Sequence, residues 1–429
     1  MEQFLQPARE EWESLLARPT ASYTELEPIV AKVFNEVRER GDAALKDYTT
    51  QFDKVVLTDL VVPKTDINQA SDRLTSELKQ AIQLAKKNIE GFHRAQKTPK
   101  VSVETQAGVE CWQEKRPIQK VGLYIPGGSA PLFSTILMLA IPAQIAGCTE
   151  IVLCSPPNES GSLPDEVLYT ASLCGVSKIY TVGGIQAIAA MTFGTETIPN
   201  VYKIFGPGNQ YVTVAKQWAT RYNVAIDMPA GPSELLVVAD QSAQPAYVAA
   251  DLLSQAEHGP DSQVILVTTS QDILPKVAEE IARQLAELPR KEIAAKAIAN
   301  SKMIAFSSDE LAIDFINQYG PEHYIICMEK EALYVEAIQN AGSVFVGNYT
   351  PESAGDYASG TNHTLPTNGY AKQYSGVNLD SYLKQMTFQK ISKEGIQGIG
   401  PAIEAMATAE GLQAHKNAVT LRLNDLKNE

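Results

Sequence analysis

Four of the five histidines in this chain lie in turn-forming surroundings, close to other polar side chains. His258, His323, His363 and His415 are bordered by glycine, proline or acidic residues, whereas His93 lies in an ordinary polar helical pattern. An imidazole can bind a metal ion, and it can also take up or release a proton near neutral pH. The sequence therefore directs the search for chemistry to these four turns.

The first turn is the stretch Ser254–Asp261, with the sequence SQAEHGPD. It follows a helical pattern and ends at Gly259-Pro260, which is a strong helix stop. Gln255 and His258 are three residues apart, so both side chains lie on one face of the last helical turn. An amide oxygen and an imidazole at this spacing can bind one small cation or one polar ligand. The alternative is a helix cap beside a solvated histidine.

The second turn, Tyr319–Tyr324, places Glu322 and His323 side by side at the entrance to a predicted strand. A carboxylate and an imidazole form a natural pair for proton transfer near neutral pH. Adjacent residues in an extended backbone point to opposite faces, so both reach one site only if the preceding Gly-Pro turn twists them. The alternative is an acid at the strand edge and a surface histidine.

Two further pairs of candidate residues lie in the C-terminal part of the chain. Asp356 and His363 occur in a Gly-, Pro-, Asn- and Ser-rich stretch, Gly347–Gly376, and a stretch of this length without periodicity is usually functional or disordered. These two residues favour function. Further on, Glu410 and His415 place a carboxylate and an imidazole in the tail, where His415 taken alone is typical of a surface histidine.

These side chains together suit a divalent metal and an acid–base pair. Nitrogen and oxygen donors without a thiolate are typical of Zn²⁺ or a similar ion. The candidate donors are Gln255, His258, Asp356 and His415. Glu322 and His323 are then left for acid–base work. Glutamine is a rare ligand, so the residues alone favour His363 over Gln255.

The elements that must position these residues alternate between β-rich apolar runs and helical patterns. One series runs from Lys120 to Arg221 and a second from Glu234 to Val346. This βαβ alternation is typical of doubly wound parallel sheets, so we predict an α/β fold of two Rossmann-like lobes, each an incomplete dinucleotide fold. The Pro- and Gly-containing segment Asp227–Ser233 suits a boundary between the two lobes.

The predicted domains follow from this pattern. Residues 1–22 form a helical N-terminal extension, and residues 23–119 plus 234–376 form the first lobe, with the metal and acid–base residues. Residues 120–233 form the second lobe, on the cofactor side. Residues 377–429 form a helical C-terminal tail that is too short to fold alone and is therefore expected to pack on a partner subunit.

Three glycine-containing turns of the second lobe each connect a predicted strand to a helix. They are Tyr124–Pro131, Gly183–Gln186 and Gly206–Asn209. Ligands of α/β proteins bind at such strand ends, where amide groups and a helix dipole attract anions. None matches G-x-G-x-x-G, and each alone is compatible with a plain turn. Three in one lobe predict a cofactor crevice.

Composition excludes several classes of protein. The chain has 429 residues and a formal net charge of −14, and no cluster of lysine and arginine could bind a phosphate backbone, which argues against nucleic acid. The most apolar run, Pro131–Gly147, is short and contains Pro142, so it predicts a buried helix rather than a membrane span. The N-terminus lacks a secretory signal. Five cysteines without a C-x-x-C pair favour a reduced, cytoplasmic protein.

Several longer stretches resemble the histidinol dehydrogenase family. They extend from about residue 120 to the C-terminus: VGLYIPGGSAPLFST, YKIFGPGN, AIDMPAGPSELLVVAD, LLSQAEHGPDSQ, YGPEHY, AGSVFVGNYTPESAGDYASGTNHTLPT and EGLQAHKNAV. The resemblance implies a cytoplasmic enzyme of the last steps of histidine biosynthesis. Such an enzyme uses NAD and zinc to oxidise L-histidinol to L-histidine through L-histidinaldehyde.

The same resemblance implies a role for each matching residue. One Zn²⁺ per subunit would be held by Gln255, His258, Asp356 and His415, with His415 and Glu410 donated across a homodimer interface. Glu322 and His323 would be the acid–base pair. The substrate would contact Ser233, Gln255, His258, His323, Asp356, His363, Glu410 and His415. NAD would contact Tyr124, Gln186 and Asn209.

Three alternatives accompany this interpretation. One is a zinc hydrolase in which Glu322 is the general base, and another is a two-lobed binding protein without chemistry. The third keeps the oxidation but routes it through a thiohemiacetal on Cys148 or Cys154. No base flanks either cysteine in the sequence, so we predict that both thiols are inert.

Overall fold

Three β-sheets organise the part of the chain that the computed structural model describes, which comprises residues 1–19, 23–127 and 132–428. The strands among these residues are β1 (Glu2–Leu5), β2 (Val101–Gln106), β3 (Val109–Pro117), β4 (Lys120–Tyr124), β5 (Glu150–Ser155), β6 (Lys178–Thr181), β7 (Lys203–Phe205), β8 (Ala225–Ile226), β9 (Glu234–Ala239), β10 (Gln263–Thr268), β11 (Lys302–Ala305), β12 (His323–Cys327), β13 (Ser343–Val346) and β14 (Leu383–Ile391).

Helices alternate with these strands over most of the chain. They are α1 (Trp12–Leu15), α2 (Tyr23–Arg40), α3 (Asp42–Phe52), α4 (Lys64–Arg73), α5 (Ser76–Ala95), α6 (Ser134–Ala146), α7 (Asp165–Leu173), α8 (Gly184–Phe193), α9 (Gln210–Ala219), α10 (Pro245–Ala256), α11 (Ile273–Glu287), α12 (Lys291–Ala299), α13 (Asp309–Tyr319), α14 (Ala332–Ala337), α15 (Glu352–Tyr357), α16 (Lys393–Ala409) and α17 (Gln413–Asn428). The alternation confirms the predicted α/β fold with parallel sheets and helical termini.

The five-stranded sheet is parallel and has the order β6-β5-β4-β7-β8. The chain enters at β4, proceeds outward to β5 and β6, and returns to β7 on the other side of β4. Such a reversal leaves a crevice at the carboxyl ends of the strands. Beside it, α6 is buried from Ser134 to Ala143 and ends at Gly147, whose φ is 91°. This agrees with the buried helix predicted for the most apolar run.

The six-stranded sheet is also parallel and has the order β1-β11-β10-β9-β12-β13. Both of its faces are buried: Leu235 and Val237 of β9 belong to one apolar cluster, and Leu236 and Val238 to another. Burial on both faces explains why this strand is a continuous apolar run in the sequence rather than an alternating one.

The N-terminal extension contains a strand in addition to the helix expected from the sequence. Glu2–Leu5 pairs in parallel with Lys302–Ala305 and so adds β1 to the edge of the six-stranded sheet. The free backbone groups of β11 accept a strand at this edge, and a segment of four residues is too short for its side-chain period to reveal the pairing. The short helix α1 follows.

The chain forms two compact units, Met1–Gln96 with Gln119–Ser381 and Lys97–Ile118 with Tyr382–Glu429. The first contains both parallel sheets. The lobe boundaries predicted within it, 23–119 with 234–376 and 120–233, remain a prediction.

The smaller unit consists of an antiparallel sheet of order β14-β3-β2 and the helices α16 and α17. The tail from residue 377 is therefore not entirely helical, because β14 precedes the two helices and pairs with β3 along its whole length. Most of its side chains are exposed, so no apolar alternation marks it in the sequence. Across the described residues of both units, the helices lack the length and apolarity that crossing a membrane requires.

Candidate active site

One buried imidazole, that of His323, lies among three carboxylates. His323 is the first residue of β12, and its Nδ1 lies 3.6 Å from Oε2 of Glu322 and 3.6 Å from Oε1 of Glu352. Its Nε2 lies 3.5 Å from Oδ1 of Asp356, which is an ion-pair distance rather than a hydrogen bond. Glu322 and His323 therefore do reach one site. The turn at Gly320, whose φ is 63°, precedes them.

The charges of this cluster shift the pKa values of its members. Burial disfavours the imidazolium of His323, but Glu322, Glu352 and Asp356 outweigh burial and raise the pKa of His323 well above its ordinary value. Burial also raises the pKa of Glu352 to about 8, against the opposing charge of His323. Three acids around one base leave an excess of negative charge that a cation would offset.

Glu352 was not singled out from the sequence. It lies four residues before Asp356 on α15, so both carboxylates project from one face of this short helix toward His323. Ligand atoms of His323, Glu352 and Asp356 lie within 4.8 Å of one another. The i, i+4 spacing of two acids inside the Gly347–Gly376 stretch was the signal that could have found Glu352.

Three ligand-type atoms near this cluster are buried without a hydrogen-bond partner among the described residues. They are Oε1 of Gln255, Nε2 of His323 and Oε1 of Glu352. Buried polar atoms without partners are rare in proteins and mark a bound ion, water or ligand. A divalent cation with nitrogen and oxygen ligands fits this donor set.

Gln255 and His258 are held together at the end of α10. Nε2 of Gln255 lies 3.0 Å from Nδ1 of His258, as their three-residue spacing predicts. Burial lowers the pKa of His258, and Asp356 and Glu322, which oppose this shift, are close enough to influence it. Oγ of Ser254 in the same turn donates to Oε2 of Glu352 at 3.1 Å, so the SQAEHG turn and the carboxylate cluster belong to one site.

His363 has protein partners on both ring nitrogens. Its Nδ1 lies 2.9 Å from the carbonyl oxygen of Asp356, and its Nε2 lies 3.1 Å from Oγ1 of Thr135. Nδ1 must donate to the carbonyl, so Nε2 accepts from the threonine hydroxyl. The residues alone favoured His363 over Gln255 as a ligand, but it is Gln255 that has the unpartnered oxygen.

A buried histidine fixes the loop that carries His363. His93 donates from Nδ1 to the carbonyl oxygen of Ile89 at 2.8 Å, so its Nε2 can accept from Nδ2 of Asn362 at 3.3 Å. The same Asn362 nitrogen also donates to the carbonyl oxygen of Met138 in α6 at 2.6 Å. The helical pattern around His93 gave no sign of this contact.

Glu322 is held by the start of β9. The backbone N–H of Glu234 donates to Oε2 of Glu322 at 2.8 Å. The carboxylate of Glu234 accepts from Nε and Nη2 of Arg18 at 2.7 and 3.0 Å, and from the N–H of Asn368 at 2.6 Å. Ser233 immediately precedes Glu234. Arg18 was not predicted from the sequence, because nothing in its surroundings there distinguishes it from a surface arginine.

Glu410 and His415 lie in the smaller unit, Glu410 directly after α16 and His415 in α17. Both are exposed there. Their donation to the site of a second subunit remains a prediction.

The three predicted NAD contacts, Tyr124, Gln186 and Asn209, lie around one cavity of about 830 Å³. Its other lining residues come from the ends of β4 and β5 and from neighbouring helices: Ile29, Phe52, Asp53, Pro126, Gly127, Ser155, Pro156, Pro157, Asn158, Glu159, Pro164, Val167, Gly184, Ile185 and Tyr211. Of the turn Tyr124–Pro131, residues 128–131 lie outside the described part of the chain.

Each of the three glycine turns contributes to the shape of this cavity. The N–H of Gly184 donates to the hydroxyl of Tyr124 at 3.1 Å, and Asn209 caps α9 by accepting from the N–H of Val212 at 3.1 Å. Gly206 has a φ of 131°, and a Cβ there would collide with the carbonyl oxygen of Tyr124. Oε1 of Gln186 is buried without a hydrogen-bond partner in the described chain.

A buried ion pair fixes the turn at Gly206. Nζ of Lys216 lies 2.5 Å from Oδ1 of Asp227 and donates to the carbonyl oxygen of Gly206 at 2.7 Å. The N–H of Gly206 donates to Oδ2 of Asp227 at 2.8 Å. Both backbone groups of this glycine are therefore satisfied by one pair of charged side chains.

The two cysteines considered as nucleophiles, Cys148 and Cys154, are poorly suited to that role. Burial raises the pKa of Cys148 to about 12 and that of Cys154, in β5, well above the ordinary thiol value. Because the thiolate is the reactive form, these values favour the prediction that both thiols are inert.

Comparison with known proteins identifies the family. The family model described as histidinol dehydrogenase matches residues 16–423. This chain belongs to the histidinol dehydrogenase family. Histidinol dehydrogenase of Bacteroides thetaiotaomicron is 58% identical over 421 residues, covering 98% of each chain. That of Escherichia coli K12 is 55% identical over 423 residues, covering 98% of this chain and 96% of the relative.

A solved structure agrees with this assignment. The crystal structure of histidinol dehydrogenase from Elizabethkingia anophelis superposes with a TM-score of 0.97 at 57% identity, covering 100% of this chain and 99% of the other. The resemblance stated from the sequence motifs is confirmed, and the protein is an oxidoreductase. Membership in this family leaves no support for the hydrolase or the binding-protein alternative.

Proposed function

We propose that this member of the histidinol dehydrogenase family oxidises L-histidinol to L-histidine through L-histidinaldehyde, in the final steps of histidine biosynthesis. The observation that supports it best is the pairing, within one compact unit, of a buried metal-ligand cluster and a dinucleotide-sized cavity. NAD would bind in the cavity and accept a hydride in each of the two oxidations.

The residues proposed to hold one Zn²⁺ per subunit are Gln255, His258, Asp356 and the His415 of a second copy of the chain. The ion would fix the imidazole and amine of histidinol and so orient the reacting carbon. Support comes from the unpartnered oxygen of Gln255, from the membership of Asp356 in the cluster, and from the electrostatic influence of Asp356 on His258. Ser233, His363 and the Glu410 of the second copy complete the proposed substrate contacts.

His323 is the proposed base for the first oxidation. The surrounding carboxylates raise the pKa of His323, and a cation bound among them would offset part of their charge and lower this pKa again, so that the neutral imidazole would be available as a base. It would then accept the alcohol proton of the substrate.

Glu322 is the proposed base for the second oxidation. Its carboxylate is oriented by the N–H of Glu234, and it would remove a proton from the water that attacks the aldehyde carbon. The resulting hydrate loses the second hydride to give the carboxylate of histidine. A homodimer and a cytoplasmic location are part of the proposal, and five free cysteines support a reducing compartment.

The test is a stoichiometric assay with purified protein. With L-histidinol and excess NAD⁺, two NADH should form for each histidine, as measured by absorbance and chromatography. Chelation should abolish this activity and Zn²⁺ should restore it. Asp356→Asn should lose bound zinc in elemental analysis, whereas the matched exposed variant Asp314→Asn should retain it. A ratio of one NADH per substrate, or turnover in the metal-free protein, would contradict the proposal.

A further inference from the structure

A half-buried carboxylate, that of Asp53, lies in the wall of the cavity and has no role in the chemistry above. Asp53 directly follows α3, and its backbone N–H donates to the carbonyl oxygen of Thr49. Its Oδ2 is buried and has no hydrogen-bond partner among the described residues. A buried carboxylate oxygen is normally paired, so the missing donor points to a ligand.

The charged side chains that line the cavity are all acidic among the described residues. Its described lining contains no lysine, arginine or histidine, and the side chains that carry full charge there are Asp53 and Glu159. Burial raises the pKa of Asp53 to about 6. Asp53 also lies near enough to Tyr124 to raise the pKa of that phenol, after the larger effect of burial.

The second acid, Glu159, is in a different environment. It lies in the loop after β5 and is exposed, so water can satisfy its carboxylate. In dinucleotide folds an acid commonly binds a ribose diol, and its negative charge repels the 2′-phosphate of NADP. In this cavity the acid that lacks a hydrogen-bond donor is Asp53, which follows α3, and not Glu159, which follows β5.

We infer that Asp53 accepts a hydrogen bond from a ribose hydroxyl of the bound dinucleotide and selects the cofactor without a 2′-phosphate. This inference rests on the proposed binding of NAD in this cavity. None of the proposed acid–base or metal-binding residues lines the cavity, so the proposed contact of Asp53 does not involve them.

The test compares NAD⁺ and NADP⁺ as cofactors of the zinc-loaded enzyme at saturating histidinol. Asp53→Asn keeps the shape of the side chain and removes its charge. It should raise KM for NAD⁺ about tenfold or more, as expected for the loss of a hydrogen bond to a charged group. The preference for NAD⁺ over NADP⁺ in kcat/KM should fall by at least as much, while KM for histidinol stays unchanged. Calorimetric titration of both dinucleotides provides a readout that does not depend on turnover.

Two variants serve as references for this measurement. Asp47→Asn removes an exposed carboxylate of the same helix α3 outside the cavity and should leave the cofactor preference unchanged. Asn209→Ala removes a proposed NAD contact and should raise KM for NAD⁺ without altering the preference.

The outcomes separate the inference from the function on which it rests. If Asn209→Ala weakens NAD⁺ but Asp53→Asn changes nothing, NAD binds in the cavity and the role of Asp53 is wrong. If Glu159→Gln, rather than Asp53→Asn, relaxes the preference, the ribose contact lies at the end of β5 and the inference is overturned. If none of these variants affects NAD⁺, the cavity itself is not the cofactor site.

Discussion

The two parallel sheets share a strand order, but their candidate functional residues lie at opposite ends of the strands. Starting from their first strands, β4 and β9, both proceed outward by two strands and return to the other side for two more. In the five-stranded sheet the cavity lies at the carboxyl ends, after β4 and β5. In the six-stranded sheet, Glu234 and His323 are the first residues of their strands. His258 follows α10, the helix that returns the chain to this same amino-terminal edge.

This difference shows what a fold rule can predict. The rule that ligands bind at the carboxyl edge, where the strand order reverses, locates the cavity of the five-stranded sheet. It fails for the six-stranded sheet, where the buried carboxylate cluster lies at the amino-terminal side. We therefore expect the metal cluster and the cofactor cavity to function independently. Changes to metal binding or proton transfer should leave cofactor binding unaffected.

Metal removal should have the largest effect and should affect one region only. Chelation should reduce turnover by at least about a thousandfold, since several kcal/mol of positioning are lost. The dissociation constant of NAD⁺, measured by calorimetry on the same metal-free sample, should change little because the cavity shares no residue with the cluster. Loss of both functions together would mean that the two regions are not independent.

Glu322→Gln should affect proton transfer at the amino-terminal edge while leaving cofactor binding intact. Removing a general base typically costs about a hundredfold to ten-thousandfold in rate. Oxidation of the aldehyde should slow by such a factor and alcohol oxidation should be partly spared, so rapid-quench sampling should detect accumulated aldehyde. Unchanged overall turnover would exclude this role. Glu329→Gln, at an exposed position after β12, is the control.

Lys216→Met tests the framework of the cofactor side. It leaves the buried carboxylate of Asp227 unpaired, and breaking such a pair lowers the free energy of unfolding by about 3–5 kcal/mol. Adding Asp227→Asn removes the orphan charge and should recover much of this loss in urea titrations. Arg73→Met breaks a more exposed pair with Asp165 and should cost at most about 1 kcal/mol. Equal losses for the buried and exposed pairs would contradict this prediction.

His93 should produce the smallest effect, seen in the pH dependence of stability. Burial lowers its pKa, against the hydrogen bond to Ile89, so the unfolded chain takes up a proton before the folded chain does. Its contribution is complete above the ordinary histidine pKa of about 6.5 and is lost as the pH falls below that value. The free energy of unfolding should therefore fall less steeply between pH 7 and 5 in His93→Gln than in the unchanged protein. Parallel curves would contradict this role.

Much of the architecture could be predicted from the sequence because buried elements carry strong patterns. The sequence patterns predict strands at Glu234–Ala239 and Ser343–Val346, and the structure has strands with these bounds. They predict helices at Tyr23–Gly41 and Leu74–Lys97, and the ends of α2 and α5 lie within two residues of these bounds. The strands β1 and β14 could not be predicted. One is too short to show a period, and the other is exposed on both sides.

The site could be predicted where motifs mark it and not where partners are distant in sequence. Gln255, His258, Glu322, His323 and Asp356 were all named, and the structure brings them into one region. Glu352 lacked a neighbouring histidine to draw attention to it. Arg18 acts through Glu234, which is 216 residues away, so only the folded chain reveals the contact.

The ion pair between Arg18 and Glu234 has a consequence for the design of shortened or extended versions of the protein. Arg18 follows an N-terminal strand and helix that form the outer rim of the six-stranded sheet. Removing the segment up to Arg18 would leave the buried carboxylate of Glu234 without its cationic partner, next to the backbone N–H that donates to Glu322. A protein shortened in this way keeps every side chain proposed for catalysis and is still expected to turn over more slowly, so affinity tags belong at other positions of this chain.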